Sequence, residues 1–127
     1  MEMNKYLTWQ PIPDTTGRVI IDGVEDLDDG LVLYIHISKT KKKFKIVFDP
    51  YIAYRNMDES YRTRTFSEHG GFLNSLNLVE NSSWLEWLHV ESQGYYRDEK
   101  IIHYSIITDA DCIDVLSKFS PHVTPLN

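Results

Sequence analysis

Apolar and polar positions alternate most regularly in Leu31–Ser38 (LVLYIHIS), where Leu31, Leu33, Ile35 and Ile37 share one face and Val32, Tyr34, His36 and Ser38 the other. A wholly apolar face of this kind belongs against a core. The alternation resumes in Lys43–Phe48 (KFKIVF), which sets Phe44, Ile46 and Phe48 together, so the two runs predict an antiparallel hairpin. Arg18–Asp22 (RVIID) predicts a shorter strand that leads into the turn-rich acidic segment DGVEDLDDG, and Asp49-Pro50 closes the hairpin by turn chemistry. Tyr51–Asn56 and Tyr61–Phe66 are further extended candidates, while SEHGGFLNSLNLVEN fits either a short helical turn or a strand.

The pattern changes after Asn81. Ser83 followed by Glu86 has the spacing of a capping box, Trp84, Leu85, Trp87 and Leu88 supply an apolar face, and Gly94 supplies a stop, which predicts a helix over 84–92. Lys100–Thr108 (KIIHYSIIT) alternates as a strand. Thr108 then reads as the cap of a second helix, with Asp109 and Asp111 at the positive end of its dipole. Cys112, Ile113, Leu116 and Phe119 form one helical stripe, and Ser120-Pro121 ends it. Strands first and helices later predict a single α+β domain over residues 1–127, with an antiparallel sheet of about five to six strands and two short helices mainly in the C-terminal half.

Composition supports a folded chain: 127 residues, 42% hydrophobic and 25% charged, are enough to bury a core and exclude a disordered segment. No signal-peptide core and no run of about 18 apolar residues is present, so a soluble, cytoplasmic protein with no membrane partner is expected. The single cysteine, Cys112, excludes an intramolecular disulfide and a multi-cysteine zinc site, and its place on the apolar stripe marks it as a buried small hydrophobe.

Charge is unevenly distributed. The chain carries −6, and the window Glu80–Asp114 holds eight acids against two bases, which accounts for all of it. Such a balance argues against nucleic acid as the ligand, because that binding draws on lysine and arginine at phosphates, and it favours a basic protein partner. The run Lys39, Lys41, Lys42, Lys43 and Lys45 goes the other way, and reads as a solvated hairpin tip whose lysines discourage edge-to-edge strand pairing.

The chain has no phosphate-binding glycine loop, no GxSxG elbow and no HExxH, so no catalytic residue, metal ligand or cofactor is assigned. His36, His69, His89, His103 and His122 are scattered, with His36 and His103 read as structural or surface residues. Asp28-Asp29 and Asp58-Glu59 read as solvated turns, and Trp84 and Trp87 as core. The segment Tyr54–Arg64 (YRNMDESYRTR) is equally a contact patch rich in arginine and tyrosine or a set of cross-strand ion pairs. Once Glu86, Asp109 and Asp111 are assigned to helix starts, Glu91, Asp98 and Glu99 remain, grouped with Tyr95 and Tyr96 around Gly94. An exposed loop of acids and aromatics suits recognition of a basic protein surface. The alternative is a small-molecule-binding or enzymatic domain with a pocket between sheet and helices lined by Tyr54, Arg62 and His103.

The segments NSSWLEWLHVES and KIIHYSIITDADCIDVLSKFSPHV resemble the C-terminal half of small bacterial cytoplasmic proteins found beside polymorphic or contact-dependent toxins, many of which are immunity proteins. The resemblance covers residues 51 to 123 and rests on hydrophobic and capping features. It implies a class rather than residue roles: a non-enzymatic, antitoxin-like binder that neutralises a cognate toxin, often a basic nuclease, by covering its active site.

Overall fold

The computed structural model describes residues 4–12, 18–68 and 74–126. In chain order they form β1 (Lys5–Thr8), β2 (Val19–Leu27), β3 (Gly30–Ile37), β4 (Lys43–Phe48), β5 (Ala53–Asp58), α1 (Thr63–Glu68), β6 (Leu76–Glu80), α2 (Ser83–Glu91), β7 (Ile102–Ile107), β8 (Asp111–Ser117) and β9 (His122–Leu126). Instead of one sheet there are two, both antiparallel: a five-stranded sheet ordered β1-β6-β7-β8-β5 and a four-stranded sheet ordered β2-β3-β4-β9. The fold is α+β-like but dominated by its sheets.

The β3–β4 hairpin has the expected register, with Leu33 opposite Ile46, Leu31 opposite Phe48 and Ile35 opposite Phe44. Its apolar face meets Tyr104, Ile106, Ile113 and Val115 of the other sheet in one core, where the Phe48 and Tyr104 rings lie edge to face at 5.1 Å. Removing side chains of this size from water stabilises by about 1.5–3 kcal/mol each, so this seam holds the sheets together. β2 runs on through the segment expected to be a turn, with a bulge between Ile21 and Gly23, and the turn contracts to Asp28 and Asp29. Gly30 makes it possible: its φ is +118°, and a Cβ there would sit 2.5 Å from the Phe48 carbonyl oxygen.

Three further expectations fail. Residues 61–66 are not a strand. Asp58 caps a short 3-10 turn over Glu59–Tyr61 by accepting from the Ser60 amide, and α1 follows. Residues 109–119 are not a helix. The Thr108 hydroxyl accepts from the Ala110 and Asp111 amides, and the Thr108 amide donates to the Asp111 carbonyl, which closes a tight β7–β8 hairpin. β8 lies inside its sheet and is buried on both faces, so Cys112, Ile113 and Leu116 show no alternation, and their spacing imitates a helical stripe. Phe119, the fourth member of that stripe, lies beyond the strand and is 56% exposed. Finally, Ser83 and Glu86 form no capping box. Ser82 is the cap, its hydroxyl accepting from the Leu85 amide at 3.0 Å, while Glu86 pairs with Arg97.

The ambiguous segment before Asn81 resolves into β6 over Leu76–Glu80, while His69, Gly70, Gly71, Phe72 and Leu73 lie outside the described residues. Among the described residues no helix is long and apolar enough to cross a membrane.

Candidate functional site

α2 and the turn after it form a ledge outside the five-stranded sheet. The helix ends in a Schellman arrangement: the Gly94 amide donates to the His89 carbonyl at 2.7 Å and the Gln93 amide to the Val90 carbonyl at 3.0 Å. Gln93, not Gly94, takes the first left-handed position, with φ +55°, and Gly94 follows at +75°. Successive turns bring the chain back, and Arg97 reaches Glu86 with both terminal nitrogens, at 2.8 and 3.2 Å. The hydrogen bond from Arg97 holds the Glu86 carboxyl below its ordinary range.

At 100° per residue, Trp84, Leu85, Leu88 and His89 turn towards the protein, whereas Ser83, Glu86, Trp87, Val90 and Glu91 turn outwards. α2 has no fully buried residue. Trp87 is 52% exposed and Val90 64%, and Tyr95, stacked edge to face on Tyr96 at 4.9 Å, is 81% exposed. All five residues expected to meet a partner, Glu91, Tyr95, Tyr96, Asp98 and Glu99, lie at the surface of this ledge. Glu91 and Asp98 have no ion pair among the described residues, while Glu99 bridges to Lys118 at 3.3 Å. Trp87 was expected in the core, and Val90 was overlooked. Their positions three apart, with Glu91 next, were the available signal.

A buried polar network fixes the ledge to the sheet. His103 of β7 is fully buried, with Nδ1 2.6 Å from the Ser82 hydroxyl and Nε2 2.7 Å from Asp114 Oδ1. With the proton on Nε2, the ring donates to Asp114 and accepts from Ser82, leaving the Ser82 oxygen to cap α2. Asp114 Oδ2 accepts from Arg62 Nη1 at 2.7 Å and Arg55 Nε at 3.0 Å. Burial would raise the Asp114 carboxyl, but the hydrogen bond from His103 and the charges of Arg55 and Arg62 outweigh it and hold the group well below the usual carboxylate range. Trp84 meets His103 edge to face at 5.2 Å, and the Arg55 guanidinium stands 4.6 Å over the Trp84 ring.

Asp114 was counted with the acidic surface, yet it is fully buried. A lone charge inside the apolar run from Cys112 to Leu116 was the clue. Arg55 and Arg62 of the proposed contact patch turn inwards to it, and Arg64 pairs with Glu68. Asp109, expected at a helix start, instead pairs with Arg18, and Asp111 opens β8.

Serine, histidine and aspartate here follow the order of a hydrolytic triad, but the geometry opposes turnover. The imidazole is enclosed and cannot pass a proton to a leaving group. Helix-start amides that would stabilise an oxyanion are already used, Ser83 by Asn4 Oδ1 and Leu85 by Ser82. A cleft of about 490 Å³ runs beside α2 past Ser82, Leu85, Glu86 and His89, and a smaller one of about 130 Å³ lies near Trp9 and Ser75. Neither is lined by Tyr54, Arg62 or His103. Arg62 and His103 do meet, at Asp114, but Tyr54 pairs with Val115 in β8 and packs against the core on the other face. Cys112 is buried, and burial pushes its thiol up to about 11, which suits a core position rather than a nucleophile. Among the described residues no group of three or more histidine, cysteine, aspartate or glutamate side chains is placed to hold a metal ion.

No protein family, curated protein or solved structure matches the chain.

Proposed function

We propose that the protein is a non-enzymatic, immunity- or antitoxin-like binder that uses the α2 ledge to cover a basic toxin domain. The observation that carries this reading is that α2 turns Trp87 and Val90 outwards beside Tyr95, next to the carboxylates of Glu91 and Asp98, which form no ion pair among the described residues. Exposed aromatic and aliphatic groups within one patch are the usual anchors of a protein interface. The carboxylates supply long-range attraction for a cationic partner and speed its encounter. The exposed Glu99–Lys118 bridge is weak enough for Glu99 to exchange Lys118 for a partner's cation. Occlusion needs no turnover, which agrees with the closed Ser82–His103–Asp114 network.

Affinity capture from the native host, at about 150 mM and about 500 mM salt, tests the reading. The expected result is a basic protein retained by the parent chain and lost from the Glu91→Ala, Asp98→Ala, Glu99→Ala triple variant, with weaker retention at high salt. Recovery of no basic protein at either salt, or equal recovery by the variant, would overturn it.

A further inference from the structure

Basic side chains divide into two populations. Arg18, Arg55, Arg62, Arg64, Arg97 and Lys118 each have a carboxylate partner. Lys5, Lys100, Lys39, Lys41, Lys42, Lys43 and Lys45 have none among the described residues; Lys5 lies on β1 and Lys100 just before β7, whereas the other five are gathered at the β3–β4 hairpin tip. Guarding an open sheet edge does not explain them, because β3 and β4 are the two inner strands of their sheet, flanked by β2 and β9. Lys43 and Lys45 stand opposite His36 and Tyr34 on the outer face of that sheet. Phe44 and Ile37 of the tip point into the core.

We propose that this tip is an electrostatic docking site for an anionic membrane surface. The expectation of no membrane partner rested on the lack of an apolar span, whereas a peripheral contact needs only clustered lysines facing anionic headgroups. The position of the acids favours a flat surface approached tip-first over a nucleic acid strand laid along the sheet. Beyond Lys45 the outer face reaches Tyr34, whose hydroxyl is bonded to Glu25, and such a strand would run onto that carboxylate. Asp28 and Asp29 lie at the far end of β3, which at about 3.3 Å per residue over eight residues places them roughly 25 Å from the tip. The α2 ledge is attached outside the opposite sheet. At a Debye length of about 8 Å these acids are screened from a surface touching the lysines, despite the net charge of −6, and the two acids nearer the tip are engaged, Asp22 with His36 opposite Lys43 and Asp109 with Arg18.

Co-sedimentation of the full chain with phosphatidylcholine vesicles, with or without about 30% phosphatidylserine, tests the proposal. Partitioning onto the anionic vesicles only, and release at about 0.5 M salt, are expected. Each lysine contributes about fivefold, so Lys41→Gln with Lys42→Gln should lower the partition coefficient roughly 25-fold. Circular dichroism should show both variant and parent folded, since the tip is exposed, and Trp87→Ala should leave partitioning unchanged. No binding to anionic vesicles, equal binding of the double variant and the parent, or capture by a single-stranded oligonucleotide in preference to vesicles would each overturn it.

Discussion

Asp114→Asn is the sharpest perturbation of the polar network. Asparagine keeps the shape but removes the charge and turns one oxygen into a donor. The amide nitrogen can face His103 if the imidazole moves its proton to Nδ1, and the remaining oxygen can still accept from the arginines, so the hydrogen bonds partly survive. What does not survive is compensation of Arg62, which is 7% exposed and has no other carboxylate within reach among the described residues. An uncompensated buried charge costs about 3–5 kcal/mol, and the tautomer rescue together with the partial exposure of Arg55 places this variant near about 3 kcal/mol. With unfolding entropy of about 2.1 cal/mol/K per residue over 127 residues, that loss lowers Tm by roughly 11 °C. Arg97→Ala, which breaks an exposed pair, should leave Tm close to that of the parent.

The same variant has a pH signature. Because the folded carboxyl of Asp114 is depressed, its stabilisation is fully present above the unfolded value of about 4 and is lost as pH falls towards the folded value. The gap between parent and variant should therefore be constant near neutrality and narrow below about pH 4. Urea unfolding at several pH values measures both effects. A neutral-pH difference below about 1 kcal/mol, or a gap that does not narrow in acid, would refute a charge-compensated centre.

Ser105 is fully buried and its hydroxyl has no hydrogen-bond partner among the described residues, so Ser105→Ala should leave stability unchanged or raise it by up to about 1–2 kcal/mol, read by urea denaturation. Cys112, 1% exposed and with its thiol raised to about 11, should react with a thiol reagent at neutral pH only through unfolding, so labelling rates should track unfolding rates across urea concentrations.

Legibility in the sequence followed one-sided burial. β3 and β4 each have one core face and one open face, so their alternation was plain and their register correct. β8 is covered on both faces, and without alternation its apolar spacing passed for a helix. The short α1 was hidden because its position depends on Arg62 reaching Asp114, a contact 52 residues apart that no local pattern encodes. The acids and tyrosines around Gly94 were identifiable because a polar turn rich in aromatics is a local property. The Trp87–Val90 face was not, since the tryptophan pair around it fitted a core helix equally well until the helix was fixed in rotation by Trp84 on His103.

That rotation joins the buried centre to the proposed binding ledge. Apolar burial has no direction, and a nine-residue helix with no fully buried side chain could sit on the sheet in several rotations at similar free energy. Hydrogen bonds do have direction. Ser82 ties the first turn of α2 to His103, His103 to Asp114, and Asp114 to arginines on β5 and next to α1, while Arg55 closes the circuit over Trp84. The rotation of α2 that satisfies this circuit is the one that turns Trp87, Val90 and Glu91 to solvent. A charged centre that a hydrophobic cluster of equal volume could match in stability is thus accounted for by what it specifies: the direction in which the ledge faces.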